Sequence, residues 1–228
     1  MTPLRPALPT LQGRAIAVAP GVLAFSMWAA PAFAQGEGSE PPLPRGLHAL
    51  VPPGLEVLAW RRADLNLDGH PDVVFILQAK GTTPFDGDRG DLPRPLLVAL
   101  GHAGGALRVV ARNDHLVRCI NCGGSWPEPF DELTAEPGRF TLSHYGGSRW
   151  RWSERWRFDF DVQANTWYLS SLKAGADSAE DGHLVRTYLR GKHFKAFRFS
   201  LFRPDTFTAW QSGSNVPQPP AVRDDSRS

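Results

Sequence analysis

The sequence predicts a mainly β protein: one antiparallel β-rich domain, built as a sandwich or as a strongly curved sheet, with one short N-terminal helix. Three observations support this fold class. Short runs of apolar residues recur along the chain, and Gly, Pro, Asn or Asp residues bound them. Residues 150–161 alternate aromatic and polar or charged side chains with a period of two, which is typical of a half-buried strand. A Gly-rich turn at 101–105 separates two apolar runs, as in a β-hairpin.

The first 34 residues have the layout of a secretory signal peptide. Arg5 and Arg14 precede an apolar run, 15–30, that is too short to span a bilayer comfortably. A small-x-small cleavage site, Ala-Phe-Ala, follows at 32–34. We therefore expect cleavage after Ala34, a periplasmic or secreted protein, and no membrane span.

The charge balance argues against nucleic acid as a partner. The full chain carries 25 Lys and Arg against 23 Asp and Glu. Because the signal peptide contains two Arg and no acidic residue, the mature chain has equal numbers of both. A balanced chain lacks the basic excess that neutralises phosphates.

The remaining chain divides into a linker, a folded body and a tail. Residues 35–43 are rich in Gly, Glu and Pro and are expected to be a linker, and the polar residues 213–228 are expected to be disordered. The body, 44–212, is long enough for one domain with a real core. A short helix is predicted over 44–51, before two Pro residues end it.

Apolar runs flanked by turn residues predict the strands of this body. They lie at 55–60, 73–77, 95–100, 107–111, 139–145, 150–161, 166–172, 184–189 and 194–202.

The sharpest chemical signal is an acidic loop at 64–72, Asp-Leu-Asn-Leu-Asp-Gly-His-Pro-Asp, between the first two strands. Calcium takes six to eight oxygen ligands, which a short loop supplies from alternate positions. Gly69 permits the sharp turn that returns the chain to the ion. An EF-hand is excluded, because the twelfth loop position is Phe75 rather than Glu. The expected ligands of a structural Ca²⁺ are Asp64, Asn66, Asp68, His70 through its carbonyl, and Asp72.

The alternative for this loop is an Asx-rich turn without a metal, because Asn, Asp and Gly dominate turns through local hydrogen bonds. Five correctly spaced features favour calcium. Without a bidentate Glu, the expected dissociation constant is of the extracellular kind, roughly 10⁻⁴ to 10⁻³ M.

Cys119 and Cys122 are the two cysteines of the chain and form a CxxC motif. A structural disulfide is favoured, because an exported protein meets an oxidising compartment. A thioredoxin-type redox site would need the motif at a helix N-terminus, which the surrounding sequence does not predict. A zinc site would need His ligands such as His115 to complete it.

Aromatic residues beside Gly-rich turns indicate a possible recognition surface, because Trp and Tyr offer rigid area with a polar edge. The candidates are Trp126, His144 and Tyr145. His144 and Tyr145 point to opposite faces of an extended chain, so at most one of them belongs to a given surface. The Trp residues at 150, 152 and 156 are in phase with Phe158, which favours the core, and the alternative is that Trp150 and Trp152 face solvent as part of the recognition surface.

Several of these motifs together resemble a group of secreted bacterial proteins with FG-GAP or VCBS repeats. They are Gly46-Leu47-His48, Val57-Leu58, the acidic loop, Ala111-Arg112-Asn113-Asp114, Cys119 to Gly124, Asp131, and Ser143 to Trp152. The resemblance implies export and a calcium-type loop, and it supplies no catalytic residue. Only one copy of the loop is present, so a full propeller is not expected.

The leading hypothesis is an exported, calcium-stabilised binding module for a protein or glycan, in a more specific version an inhibitor or immunity-type protein. The chain contains neither Gly-x-Ser-x-Gly nor His-Glu-x-x-His. The alternative is an enzyme, either a hydrolase of envelope polysaccharide or a thiol-disulfide oxidoreductase that uses the CxxC pair.

Overall fold

Two antiparallel sheets form the domain in the computed structural model, which describes residues 42–178, 184–190 and 197–205. The strands are β1 Leu55–Ala63, β2 Asp72–Ala79, β3 Arg94–Gly101, β4 Leu107–Val117, β5 Phe130–Glu136, β6 Arg139–Gly147, β7 Trp150–Asp161, β8 Thr166–Ser178 and β9 Leu184–Arg190. The first sheet has the order β1-β2-β3-β4, and the second has the order β5-β6-β7-β8-β9. Each sheet is therefore a meander, which confirms the mainly β prediction. The predicted signal peptide and the 213–228 tail lie outside the described residues.

Eight of the nine strands overlap segments that the sequence predicts. β5 is the exception, because its sequence, Phe-Asp-Glu-Leu-Thr-Ala-Glu, is mostly polar and buries only Leu133 completely. It is a strand because it pairs with β6, in continuous register from Glu132 to Glu136 after an irregularity between Phe130 and Glu132. Edge strands with one neighbour can be this polar.

Two local predictions are wrong. The predicted helix at 44–51 is a single 3-10 turn over His48–Leu50. The described part of the predicted strand at 194–202 contains one isolated bridge at Arg198 and a 3-10 helix over Phe199–Leu201. Aromatic side chains at 197, 199 and 202 are all buried, so the apolar pattern that predicts a strand here reflects packing in the core.

An aromatic core lies between the two sheets. Phe140 and Phe158 stack with ring centroids 5.4 Å apart, and Phe199 meets them edge-on at 5.1 and 5.3 Å. Trp156 contacts Phe202 at 5.3 Å. Each such pair contributes about 0.5–1.5 kcal/mol beyond its burial. The last described segment, 197–205, thus forms part of the core together with β6 and β7.

A second apolar cluster covers the other face of the first sheet. Leu47, in the segment before β1, is fully buried and clusters with Trp60, Phe75 and Leu97. Both faces of β2 and β3 are therefore covered. This explains why these strands are continuous apolar runs, whereas β7 alternates.

Asn113 attaches the C-terminal 3-10 helix to β4. Its buried side-chain amide donates hydrogen bonds to the carbonyls of Phe199 (2.5 Å) and Phe202 (2.8 Å). Its side-chain oxygen accepts from the N–H groups of His115 and Leu116, both at 2.8 Å. Three of these four bonds are buried, and an unpaired polar group there is costly.

We expect Asn113→Ala to destabilise the fold by on the order of 3 kcal/mol, because it removes four hydrogen bonds, among them the side-chain donor to the Phe202 carbonyl and the acceptor of two N–H groups. Urea denaturation followed by tryptophan fluorescence measures this change. The exposed neighbour His115 is the control, and His115→Ala should change the free energy of unfolding by less than about 0.5 kcal/mol. Equal effects of the two substitutions would contradict this role of Asn113.

Candidate functional site

The acidic loop connects β1 to β2 within the first sheet, and it also contacts the second sheet. Leu65 is fully buried, and its carbonyl accepts a hydrogen bond from the indole N–H of Trp167 on β8 at 3.1 Å. The carbonyl of Asp64 accepts the N–H of Gly138, between β5 and β6, at 2.8 Å. The side chain of Leu67 lies against the same Gly138. A change in the conformation of the loop would therefore alter hydrogen bonds between the two sheets.

Asp72 is the anchor of this loop. Its carboxylate is fully buried and accepts the N–H groups of Leu65 (2.8 Å) and Asn66 (3.3 Å) on one oxygen. The other oxygen accepts the N–H of Gly101, at the end of β3, at 2.9 Å. Desolvation raises the pKa of Asp72, and these hydrogen bonds oppose that rise. Of the predicted calcium ligands, Asp72 is the one turned into the protein.

The other predicted ligands lie on the solvent side of the loop and bond to one another. Asp64 accepts the N–H groups of Asp68 (3.0 Å) and Gly69 (2.9 Å). Asp68 accepts the amide of Asn66 and the N–H of His70, both at 2.8 Å. The Asn66 bond, followed by the His70 bond, lowers the pKa of Asp68. The carboxylates of Asp64 and Asp68 thus hold the loop in a turn through local hydrogen bonds.

Carboxylates alone do not assemble a metal site in the described part of the chain. Within it, no three or more His, Cys, Asp or Glu side chains are grouped to hold an ion. A calcium ion in the acidic loop would therefore depend on the amide oxygen of Asn66 and on the backbone, besides Asp64 and Asp68. Such oxygens are ordinary calcium ligands.

We expect Asp72→Asn to destabilise the protein by about 2–4 kcal/mol in the presence of a chelator. The substitution removes the charge that three N–H groups share and turns an amide donor towards them. Urea denaturation of the chelated protein measures the loss. Asp68→Asn, at an exposed position of the same loop, is the control and should cost less than about 1 kcal/mol. If the two losses are alike, Asp72 is not the anchor.

The disulfide end of the domain is the second candidate region. Cys119 and Cys122 form a disulfide with an S–S distance of 2.09 Å, in the turns between β4 and β5. Asn121, inside the CxxC loop, accepts the N–H of Phe85 at 2.9 Å and donates to the carbonyl of Gly87 at 3.2 Å. The disulfide loop is therefore fastened to the connection between β2 and β3.

The surroundings of the cysteines do not favour a reactive thiolate. The motif lies in turns rather than at a helix N-terminus. A carboxylate oxygen of Asp91 is 3.7 Å from the sulfur of Cys119, and a nearby negative charge disfavours a thiolate. Both sulfurs are used in the disulfide, which leaves neither as a zinc ligand. These observations support the structural interpretation of the pair.

The two Gly-rich motifs of the sequence meet at this end. The N–H of Gly147 donates to the carbonyl of Gly123 at 2.6 Å. A Cβ atom at Gly146 would lie 2.6 Å from the ring of Trp152 and 2.7 Å from the same carbonyl of Gly123, so only Gly fits there. Sequence reasoning treated the motifs separately, because nothing local indicates contact between residues more than twenty positions apart.

An aromatic surface lies over this junction and consists of the exposed Trp126 and Tyr145 and the half-buried Arg151. Trp126 is 58% exposed and Tyr145 is 45% exposed. The guanidinium of Arg151 lies over the ring of Trp126, 5.1 Å from its centroid. In the β6–β7 register Gly147 pairs with Arg151, so Tyr145 and Arg151 share one face of the second sheet.

The Trp-rich strand β7 divides between core and surface. Trp156 is buried, as expected. Trp152 is only partly buried, and the guanidinium of Arg118 lies 4.7 Å from its ring centroid. The side chain of Trp150 lies outside the described residues. Expecting all three in the core is therefore wrong for Trp152, which is near the strand end where the core stops.

His144 lies on the opposite face from Tyr145 and is buried, so it does not contribute to the aromatic surface. Its Nε2 accepts the N–H of Arg118 at 3.3 Å, and its Nδ1 is 4.0 Å from the carboxylate of Glu154. Desolvation first, and then the charges of Arg118 and Arg94, lower the pKa of His144 to about 3. The imidazole is therefore neutral in the folded protein at ordinary pH.

Arginine–carboxylate pairs surround this histidine. Arg94, which is 2% exposed, binds both oxygens of Glu128, at 2.7 and 2.5 Å. Arg118 binds both oxygens of Glu154, at 2.7 and 3.1 Å. Bidentate pairs of this kind hold side chains in one geometry. They link the end of the first sheet to the second sheet beneath the aromatic surface.

We expect His144 to make the protein less stable in acid. The unfolded chain takes up a proton near pH 6.5, but the folded chain resists protonation down to about pH 3. Between these values the unfolded state binds more protons, so the free energy of unfolding falls by about 1.4 kcal/mol for each pH unit of acidification. Urea denaturation at several pH values measures the slope.

His144→Gln keeps an acceptor for the Arg118 N–H and cannot titrate, so it should remove this part of the slope. His102→Gln, at an exposed position, is the matched control and should leave the slope as in the unchanged protein. A slope that is the same in all three proteins would assign the acid sensitivity to other groups.

Comparisons with protein-family models, with curated protein sequences and with solved structures find no match to this chain. The FG-GAP or VCBS resemblance therefore stays a prediction, and function is argued from the sites themselves. Among the described residues, no helix has both the length and the apolar character needed to cross a membrane.

Proposed function

We propose that this protein is an exported β-sandwich that acts by binding another protein through its aromatic surface, and that calcium stabilises its acidic loop. The observation that carries the proposal is the pair of exposed aromatic residues, Trp126 and Tyr145, with the half-buried Arg151 stacked on Trp126, above a disulfide-bonded base. Trp, Tyr and Arg are the residue types that contribute most binding energy in protein interfaces.

The base of the aromatic surface supports binding, because it limits the motion of the groups above it. The disulfide, the close contact of Gly123 with Gly147 and the bidentate pair of Arg118 with Glu154 all lie in this region. A surface whose side chains are already ordered loses less entropy when a partner binds. An inhibitor or immunity-type protein would use such a surface.

The calcium part of the proposal is supported by the position of the acidic loop. The loop contacts the second sheet through Leu65 and Asp64, and its remaining oxygens lie on the solvent side. An ion held there would stabilise the contact between the sheets without taking part in a reaction. Export would bring the protein to compartments where weak calcium sites are filled.

A photo-crosslinking amino acid at Ser125, next to Trp126, tests the partner. With exported proteins of the native cells, we expect one discrete protein adduct that mass spectrometry identifies. Gln163, exposed in the turn between β7 and β8, is the control position and should not form it. With the identified partner, Trp126→Ala should weaken binding by about 2 kcal/mol or more, since the ring is the largest exposed group of the surface.

Identical adducts from both positions, or binding that Trp126→Ala leaves unchanged, would contradict the proposed surface. Binding to envelope polysaccharide without any protein adduct would contradict the protein partner and favour a glycan.

A calcium titration of the thermal midpoint tests the acidic loop. For a dissociation constant on the order of 10⁻⁴ M, 10 mM calcium is about a hundredfold excess and should stabilise the protein by about 2.7 kcal/mol relative to chelator. Asp68→Ala should abolish this rise, because it removes a predicted ligand. The variant should still fold, since Asp68 is exposed and does not anchor the loop. A midpoint that does not respond to calcium would mean that the loop is an Asx turn.

A further inference from the structure

The sandwich opens into a groove at the end that carries the acidic loop, and two arginines lie in its lining. Its volume is about 370 Å³. This lies at the lower end of the range for small-molecule sites. The groove lies at the opposite end of β6 and β7 from the aromatic surface and has no part in the proposed function.

Apolar side chains from both layers line the inside of the groove. Leu100 and Ala111, on the inner face of the first sheet, pack against the core between the sheets. Val110 is 37% exposed in the same lining. Trp167, from β8, closes the inner side and is held by its hydrogen bond to Leu65. The groove is thus a place where the apolar core can be reached from solvent.

Two arginines lie in the lining, and they come from different layers. Arg108 is the cross-strand partner of Leu100 in the first sheet. Arg198 follows β9 in the chain and is fixed to the second sheet by its bridge to Tyr168. The lining contains no Asp or Glu. The groove is therefore positively charged although the mature chain has no net charge.

Neither guanidinium forms an ion pair or a side-chain hydrogen bond with the described residues. Seven other arginines of the described residues are paired with carboxylates: Arg89, Arg94, Arg112, Arg118, Arg139, Arg155 and Arg157. An arginine beside an apolar lining is suited to a ligand anion, because its planar donors match carboxylate and phosphate oxygens. The hydroxyls of Thr166 and Ser200 add neutral donors to the same lining.

We propose that this groove binds a small amphiphilic anion, with its carboxylate or phosphate headgroup at Arg108 and Arg198 and its apolar part against Leu100, Val110 and Trp167. The headgroup would supply the negative charge that the lining lacks. The apolar part would cover surface that is now exposed at the edge of the core, which is favourable at about 25 cal/mol per Å².

Isothermal titration calorimetry of the purified protein with octanoate and with octyl phosphate tests the proposal. We expect saturable one-to-one binding of at least one probe, and the tighter of the two identifies the headgroup. Octanol lacks the charge and inorganic phosphate lacks the apolar part, so each should bind at least about tenfold more weakly. Raising the ionic strength should weaken binding of the anions.

Arg108→Gln should weaken the binding of the preferred probe about tenfold, and Arg198→Gln should do the same. Arg112→Gln is the matched control, because Arg112 is an exposed arginine on the same strand but lies outside the lining. It should bind the probe as the unchanged protein does. Near-ultraviolet circular dichroism checks that each variant is folded. Arg108 is exposed, so Arg108→Gln should fold, and its affinity tests the proposal even if Arg198→Gln does not fold.

The proposal is overturned if neither octanoate nor octyl phosphate shows saturable binding, if octanol binds as tightly as octanoate, or if Arg108→Gln leaves the affinity unchanged. Partner binding through the aromatic surface should be the same in Arg108→Gln and in the unchanged protein. The experiments on anion binding and on partner binding can therefore contradict the groove and the proposed function independently.

Discussion

The contact between the two sheets depends on one buried carboxylate. Asp72 accepts three backbone N–H groups and thereby holds the acidic loop in the form that places Leu65 in the core. From there the carbonyl of Leu65 reaches Trp167 in the second sheet. A carboxylate is suited to this position, because two oxygens can accept several bonds at once and charge strengthens each bond. A calcium ion would strengthen a junction that hydrogen bonds already form.

The two ends of the sandwich offer different chemistry for one structural reason. At each end the sheets stop, and the groups that lie beyond the core must be satisfied by loops, by ion pairs or by ligands. At the disulfide end, paired arginines and close Gly contacts close the opening and leave Trp126 and Tyr145 above it. At the other end Arg108 and Arg198 remain unpaired by described residues, and the core can be reached from solvent.

Much of the fold could be predicted from the sequence, because its signals are local. The continuous apolar runs of β2 and β3 and the alternation of β7 reflect which faces are covered, and both patterns identified strands correctly. The CxxC pair was expected as a disulfide, and the cysteines are bonded. β5 could not be found in this way, since a polar edge strand owes its conformation to pairing with β6. The predicted strand at 194–202 is wrong for a similar reason, because the conformation of its described part depends on packing of its aromatic residues in the core.

By itself the sequence determined the class of fold, most strand positions, the disulfide and the oxygen-rich character of the acidic loop, because each depends on residues close together in the chain. Only the tertiary structure decided which of these groups act together. It buried His144 between Arg118 and Arg94 while its neighbour Tyr145 stayed exposed. It also turned Asp72 inward as an anchor and brought Arg108 and Arg198 to one groove. Burial and charge at such places depend on strands that are far apart in sequence, and no local pattern contains that information.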